Sequence, residues 1–187
     1  DRTAHVGHTP HTQKSRLRTA TAGHLQGVLA DHSEKRTKYH SAPNLMYQVL
    51  REVLGPHVVQ RGSNITPARL RFDFSHDGKV TPEQIAQVEN IVNEQIKADL
   101  KVTWEEHPTK VAIDELHALG QFGDRYGDTV KIYRMQADGV EKPFSFEICG
   151  GPHVEHTGLL AEDGKVFKIK KEESSSAGIR RIKAVLQ

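Results

Sequence analysis

An α+β fold in two layers, a mainly antiparallel sheet packed by two or three helices, is what this sequence predicts, and three observations predict it. One segment carries a complete helix start signal followed by an apolar stripe at helical spacing. Several short segments alternate apolar and polar residues, the period of a strand with one buried face. Strand segments outnumber helical ones, and the chain holds no internal repeat.

Taken in order, residues 1–36 form a polar, basic arm with only a weak apolar period around Leu25 to Leu29, enough for one short helix at most. Residues 37–187 carry the compact domain. In "NLMYQVLREVLG", Leu45, Met46, Val49, Leu50, Val53 and Leu54 share one helical stripe that stops at Gly55, a good terminator, with His40 at the mouth of the helix. "VVQRGSNIT" and "RLRFDFSH" read as neighbouring strands, the second setting Leu70, Phe72 and Phe74 against Arg69, Arg71, Asp73 and Ser75. In "TPEQIAQVENIVNEQIKADL", Thr81 is the N-cap, Pro82 takes the first helical position, and Ile85, Val88, Ile91, Val92 and Ile96 form the apolar face. "KVTWEEH" predicts a strand and "TKVAIDELHALG" a short helix. "DTVKIYRM", "FSFEIC", "KVFKIKKEE" and "IRRIKAVL" predict further strands.

Composition narrows the function classes. At 187 residues and 36% hydrophobic, with no apolar run near the ~20 residues of a membrane span, the chain fits one globular domain with a short appendage and no membrane partner. One cysteine excludes an intramolecular disulfide framework and, with no secretory signal in view, predicts a cytoplasmic setting. The 26 Lys and Arg against 24 Asp and Glu leave +2, too little for a blanket of positive charge but compatible with a local nucleic-acid face. The start at Asp1 predicts a fragment or processed product. There is no P-loop, no Gly-x-Gly-x-x-Gly and no Gly-x-Ser-x-Gly, so nothing indicates nucleotide hydrolysis, dinucleotide chemistry or a serine hydrolase.

The chemistry concentrates in "EICGGPHVEHTG". Cys149 ends a strand, and His153 lies across a glycine turn that can aim thiolate and imidazole at one point, a donor pair suited to zinc. A buried strand-end cysteine beside a loop histidine is the bland alternative. Two further ligands near a helix would complete a tetrahedral set. "YHSAPNL" offers His40 and, four residues on and so on the same helical face, Asn44, whose neutral amide is a poor zinc ligand. His5, His8 and His11 recur every three residues and fit an exposed cluster better than a metal tract.

These blocks carry a resemblance. "HSAPN", "VVQRGSNITPARLRFDFSHDGKVTPEQIAQVENIVNEQI", "CGGPHVEHTG" and "FKIKKEESSSAGIRRIKAVL" resemble, in the same order, the editing domain of alanyl-tRNA synthetase, with free-standing trans-editing proteins and the threonyl-tRNA synthetase editing domain as relatives. The resemblance implies hydrolysis of the ester joining serine or glycine to the 3′ end of tRNA(Ala), with no DNA partner. It implies a zinc ion at His40, Asn44, Cys149 and His153, where Asn44 stands in place of the family's second histidine. It implies catalytic roles for Gln60, in the family's Gln-Lys/Arg-Gly-Ser segment, and for Cys149. Gly150, Gly151, Arg180 and Arg181 are the implied contacts for the tRNA terminus. The other implied outcome of Asn44 is a non-catalytic tRNA-end-binding or structural zinc domain. The glycine-rich barrel that often precedes this region in the family is absent from the sequence, and the chain is too short for an aminoacylation domain.

Overall fold

The computed structural model describes the backbone of residues 11–187 and the side chains from residue 33 onward. A compact unit runs from Lys35 to Gln187.

Helix α1 spans His11–Leu54 without a break. Residues 11–36, expected as an extended arm, are therefore helical, and His40 lies inside the helix rather than at its mouth. The Ala, Leu, Gln, Arg and Lys of this stretch are competent helix formers, and no proline interrupts them before Pro43. Pro43 sits within α1, where its missing N–H and its ring cost about 3 kcal/mol. The stripe around it outweighs that: Leu45, Met46, Val49 and Leu50 are fully buried, each contributing about 1.5–3 kcal/mol. Gly55 ends the helix at φ 126°, a conformation that glycine adopts without a Cβ clash, and its N–H donates to the Arg51 carbonyl at 3.0 Å.

Strands β1 (Gln60–Ile65) and β2 (Leu70–Ser75) pair antiparallel, as the sequence predicts. Helix α2 (Pro82–Lys97) starts at a full capping box between Thr81 and Gln84 and buries Val88, Val92 and Ile96. β3 (Lys101–Pro108), β4 (Thr129–Gln136), β5 (Ser145–Ile148), β6 (Phe167–Ser176) and β7 (Ile179–Leu186) follow. All sheet pairings between these strands are antiparallel, and the α+β class holds. The strands divide between two sheets, however, one ordered β1-β2-β7-β6 and the other β3-β4-β5. Alternation within a strand names its buried face but not its partner, so this division was not legible in the sequence. The expected helix over residues 109–120 is one π-helical turn at Val111–Glu115, and a 3-10 segment at Thr157–Gly164 was not expected.

The core lies between α1, α2 and the four-stranded sheet. Tyr47 packs on Phe72 at 5.4 Å between ring centroids, and Phe72 on Phe74. Asn93 ties α2 to β6 by two 2.9 Å bonds, accepting from the Phe167 N–H and donating to its carbonyl. A second, small cluster of Ala112, Val130 and Ile132 lies on the other face of the three-stranded sheet. Residues 119–122 stitch the sheets together: Ile148 N–H donates to the Leu119 carbonyl at 2.8 Å, and Phe122 N–H to the Gln60 carbonyl at 2.9 Å. The two sheets thereby bring the start of β1 and the end of β5 to opposite sides of one cleft. Among the described residues, no helix is long and apolar enough to cross a membrane.

Candidate metal centre and its cleft

Three elements supply three donors. α1 presents His40, the end of β5 presents Cys149, and the Gly150-Gly151-Pro152 turn returns the chain to His153. Their ligand atoms all lie within 4.8 Å of one another. Donors around one tetrahedral zinc stand about 3.3–3.8 Å apart, given metal–ligand distances of 2.0–2.3 Å. The pair Cys149 Sγ and His40 Nδ1 is already at 3.7 Å. Small side-chain rotations would bring His153 to the same spacing.

The histidine at 153 is prepared for this role by Ser41, which is fully buried. The Val154 N–H donates to Ser41 Oγ at 3.0 Å, and Oγ donates to the Thr37 carbonyl at 3.2 Å. With its own proton committed, Oγ accepts from His153 Nδ1 at 3.0 Å. That assignment puts the ring proton on Nδ1 and leaves a lone pair on Nε2, the tautomer a metal ligand needs. Nε2 is buried and has no protein partner. A buried acceptor without a partner is costly, and a cation among three such donors removes the cost. The residues present therefore fit a zinc ion.

Electrostatics agree with a neutral, dehydrated donor set. Burial drives the His153 imidazole down to about 3, helped by nearby His40, and burial also lowers His40. Burial pushes the Cys149 thiol up to about 11. The N–H groups of Gly151 and Gly150, aimed at its sulfur, work against that rise, and Glu147 adds to it. Both imidazoles are thus already deprotonated at neutral pH, whereas the thiol must release one proton to bind a metal. Zinc affinity is accordingly expected to rise about tenfold per pH unit from roughly pH 6 to 9. Competition against a chromophoric chelator across that range measures it, and a flat profile would remove Cys149 from the ligand set.

Of the three donors, His40 and Cys149 open onto a cleft of about 440 Å³, lined also by Asn44, Gln60, Lys131, Glu147 and Gly150, among others, with His153 Nε2 buried behind them. Asn44 follows His40 by one helical turn and is 4% exposed, with its Nδ2 unpartnered. Gln60 is held at the cleft edge by its backbone, whose N–H donates to Tyr47 Oη at 3.1 Å. Gly151 abuts His40 so closely that any Cβ there would overlap the imidazole, whereas Gly150 faces open space. Arg180 and Arg181 are on β7 and do not line the cleft. Arg180 is paired with Glu172, and Arg181 makes a two-pronged pair with Asp73 at 2.8 and 3.1 Å. His5 and His8 lie outside the described residues, as does the side chain of His11.

Sequence reasoning passed over three residues of the site: Ser41, Tyr133, whose ring packs on His153 at 4.2 Å, and Glu147. Glu147 is buried, and burial alone pushes its carboxyl up to about 8, which favours the protonated form at neutral pH. The missed signal lay in β5. Its buried positions are Ser145 and Glu147, while Phe146 and Ile148 are only partly buried, so polar residues occupy the site face of that strand.

Residues 130–183 match the family described as "Threonyl and Alanyl tRNA synthetase second additional domain". The chain is 52% identical over 163 residues to the alanine-tRNA ligase of Treponema denticola, covering 87% of this chain and 25% of that protein. It is 45% identical over 188 residues to that of Borreliella burgdorferi, covering 97% of this chain and 29% of the relative. For the Thermus thermophilus enzyme the figures are 42% over 161 residues, 86% and 18%. The chain thus spans between 18% and 29% of the length of these curated relatives. With these matches along most of its length, the chain belongs to the alanyl-tRNA synthetase editing-type domains.

Proposed function

We propose that this domain hydrolyses the ester of mischarged tRNA(Ala), with serine or glycine as the wrong amino acid, at a zinc-type site formed by His40, Cys149 and His153, in the cytoplasm. The observation that carries the reading is the buried, unpartnered Nε2 of His153, held with two other donors at the edge of a cleft of about 440 Å³. A cleft of that size suits a small substrate end. The need for such a site is a matter of magnitude: an apolar synthetic pocket rejects an added hydroxyl by only ~10², so a second, hydrolytic pocket supplies the missing discrimination.

Bound zinc would supply Lewis acidity or an activated water, and three protein ligands leave the open position that this chemistry requires. The chain's own residues do the rest. Ser41 holds the His153 ring so that Nε2 faces the cluster. The N–H groups of Gly150 and Gly151 stabilise the Cys149 thiolate once its proton has gone. Gln60, at the cleft edge, can orient a water or the ester carbonyl with its amide. Glu147 holds a proton at its carboxyl and so presents a donor in a site that also takes an ester. Arg180 and Arg181 would meet a tRNA phosphate only in exchange for Glu172 and Asp73.

One observation favours a second reading, tRNA-end binding without turnover or a structural zinc domain: Asn44 occupies the fourth ligand position and its Nδ2 stays unpartnered. Deacylation of seryl-tRNA(Ala) by protein purified without an affinity tag separates the two. The hydrolytic reading expects turnover that chelation abolishes and zinc restores. Saturable tRNA binding with no deacylation at any zinc concentration would establish the second reading instead.

A further inference from the structure

Among the described residues, two rings of phenylalanine, tyrosine or tryptophan are exposed, Trp104 at 55% and Phe122 at 61%; neither lines the cleft itself, but Trp104 packs under Lys131 and Phe122 follows Gln121, two residues that do. Trp104 is on β3 directly opposite Tyr133, whose ring packs on His153. Phe122 is fastened to the other wall, its N–H donating to the carbonyl of Gln60 at 2.9 Å. Each ring has a cation over it: Lys131 Nζ lies 4.4 Å from the Trp104 centroid, and Arg61 Cζ lies 3.8 Å from that of Phe122. Lys131 also lines the cleft.

Burial does not explain this arrangement, because neither ring belongs to a core cluster. An apolar protein partner would ask for a continuous apolar patch, whereas here two isolated rings are each accompanied by positive charge. Rings that offer a stacking face, paired with cations that can meet phosphates, are the recurring recognition chemistry for unpaired nucleotides. We propose that Trp104 and Phe122 are stacking platforms for unpaired nucleotides of the tRNA 3′ end, with Lys131 and Arg61 meeting the adjoining phosphates. The proposal rests on the tRNA-end reading given above and adds the surface that grips the end while its last residue enters the cleft.

Trp104 is the chain's one tryptophan, so its fluorescence reports this contact without a label. Titration with an RNA hexanucleotide ending in CCA should quench that emission in step with binding measured by the anisotropy of a 5′-fluorescein version. Trp104→Ala and Phe122→Ala should each weaken binding about 5- to 150-fold, the scale of one lost base–aromatic stack, while Trp104→Phe retains most of the affinity. Both side chains are exposed, so neither replacement opens a cavity, and circular dichroism checks the fold. A hexanucleotide lacking its last two or three bases should bind as weakly as the alanine variants. Binding with unchanged tryptophan emission, or equal affinity of the base-free RNA and of both variants, would overturn the stacking proposal and leave the tRNA-end reading intact. No binding of any RNA would overturn both.

Discussion

Cys149→Ala should lower zinc affinity by more than 100-fold. Removing a group that merely orients a ligand already costs about 10- to 100-fold, and in the proposed site Cys149 would itself be a ligand and, as thiolate, the only anionic donor of the three. Without it, two neutral imidazoles face a dication, and Asn44 offers only an amide. The fold itself should be nearly unaffected, because Cys149 is only partly buried and the change deletes one sulfur atom. Chelator competition gives the affinity, and thermal melts with and without zinc separate binding from folding. The wild type should gain melting temperature with added zinc as linkage requires, whereas the variant should melt at the metal-free wild-type temperature and show no gain. A variant that binds zinc as tightly as the wild type would show that any bound ion sits elsewhere.

Gly151→Ala should cost about 10- to 100-fold in zinc affinity without touching any donor. The added Cβ would occupy the space of the His40 imidazole, which must rotate away from Cys149 and His153. Because the obstructing atoms belong to a side chain that can turn, the cost falls on ligand geometry more than on stability. Gly150→Ala is the matched control. Nothing lies within 4 Å of its Cβ, and neither glycine has a positive φ, so alanine strains the backbone at neither position. Affinity at position 150 should stay within about threefold, the scale of an exposed substitution. Equal losses at both positions would point to turn flexibility instead of steric displacement of His40.

Much of the site was legible before the fold was known. His40, Cys149 and His153 were named from donor chemistry, from the glycine turn and from a resemblance, and the structure brings those three together. Gln60 was placed at the pocket only by the resemblance, and it stands at the cleft because Tyr47 and Phe122 pin its backbone there. Ser41 was hidden because its role is a hydrogen-bond chain across 112 residues of sequence, which no local pattern encodes. Glu147 was hidden for a related reason: in an alternating strand a glutamate is read as facing solvent, and here it faces the site.

The fold divides the same way. Local physics set α2, whose capping box and apolar stripe lie within one segment, and it set strands whose side chains alternate in burial, such as the second half of β7. It also set the antiparallel α+β class, which follows from what those segments must bury. Tertiary structure alone decided that α1 runs on through Pro43, because the energy that holds it comes from the buried stripe and not from local propensity. It decided that the seven strands of the described residues divide into two sheets, since pairing is chosen by burial across the whole domain. The cleft is the consequence of that choice. A sequence can specify which atoms are able to bind a metal, but their convergence to 4.8 Å requires a helix, a strand end and a turn to be packed against one another.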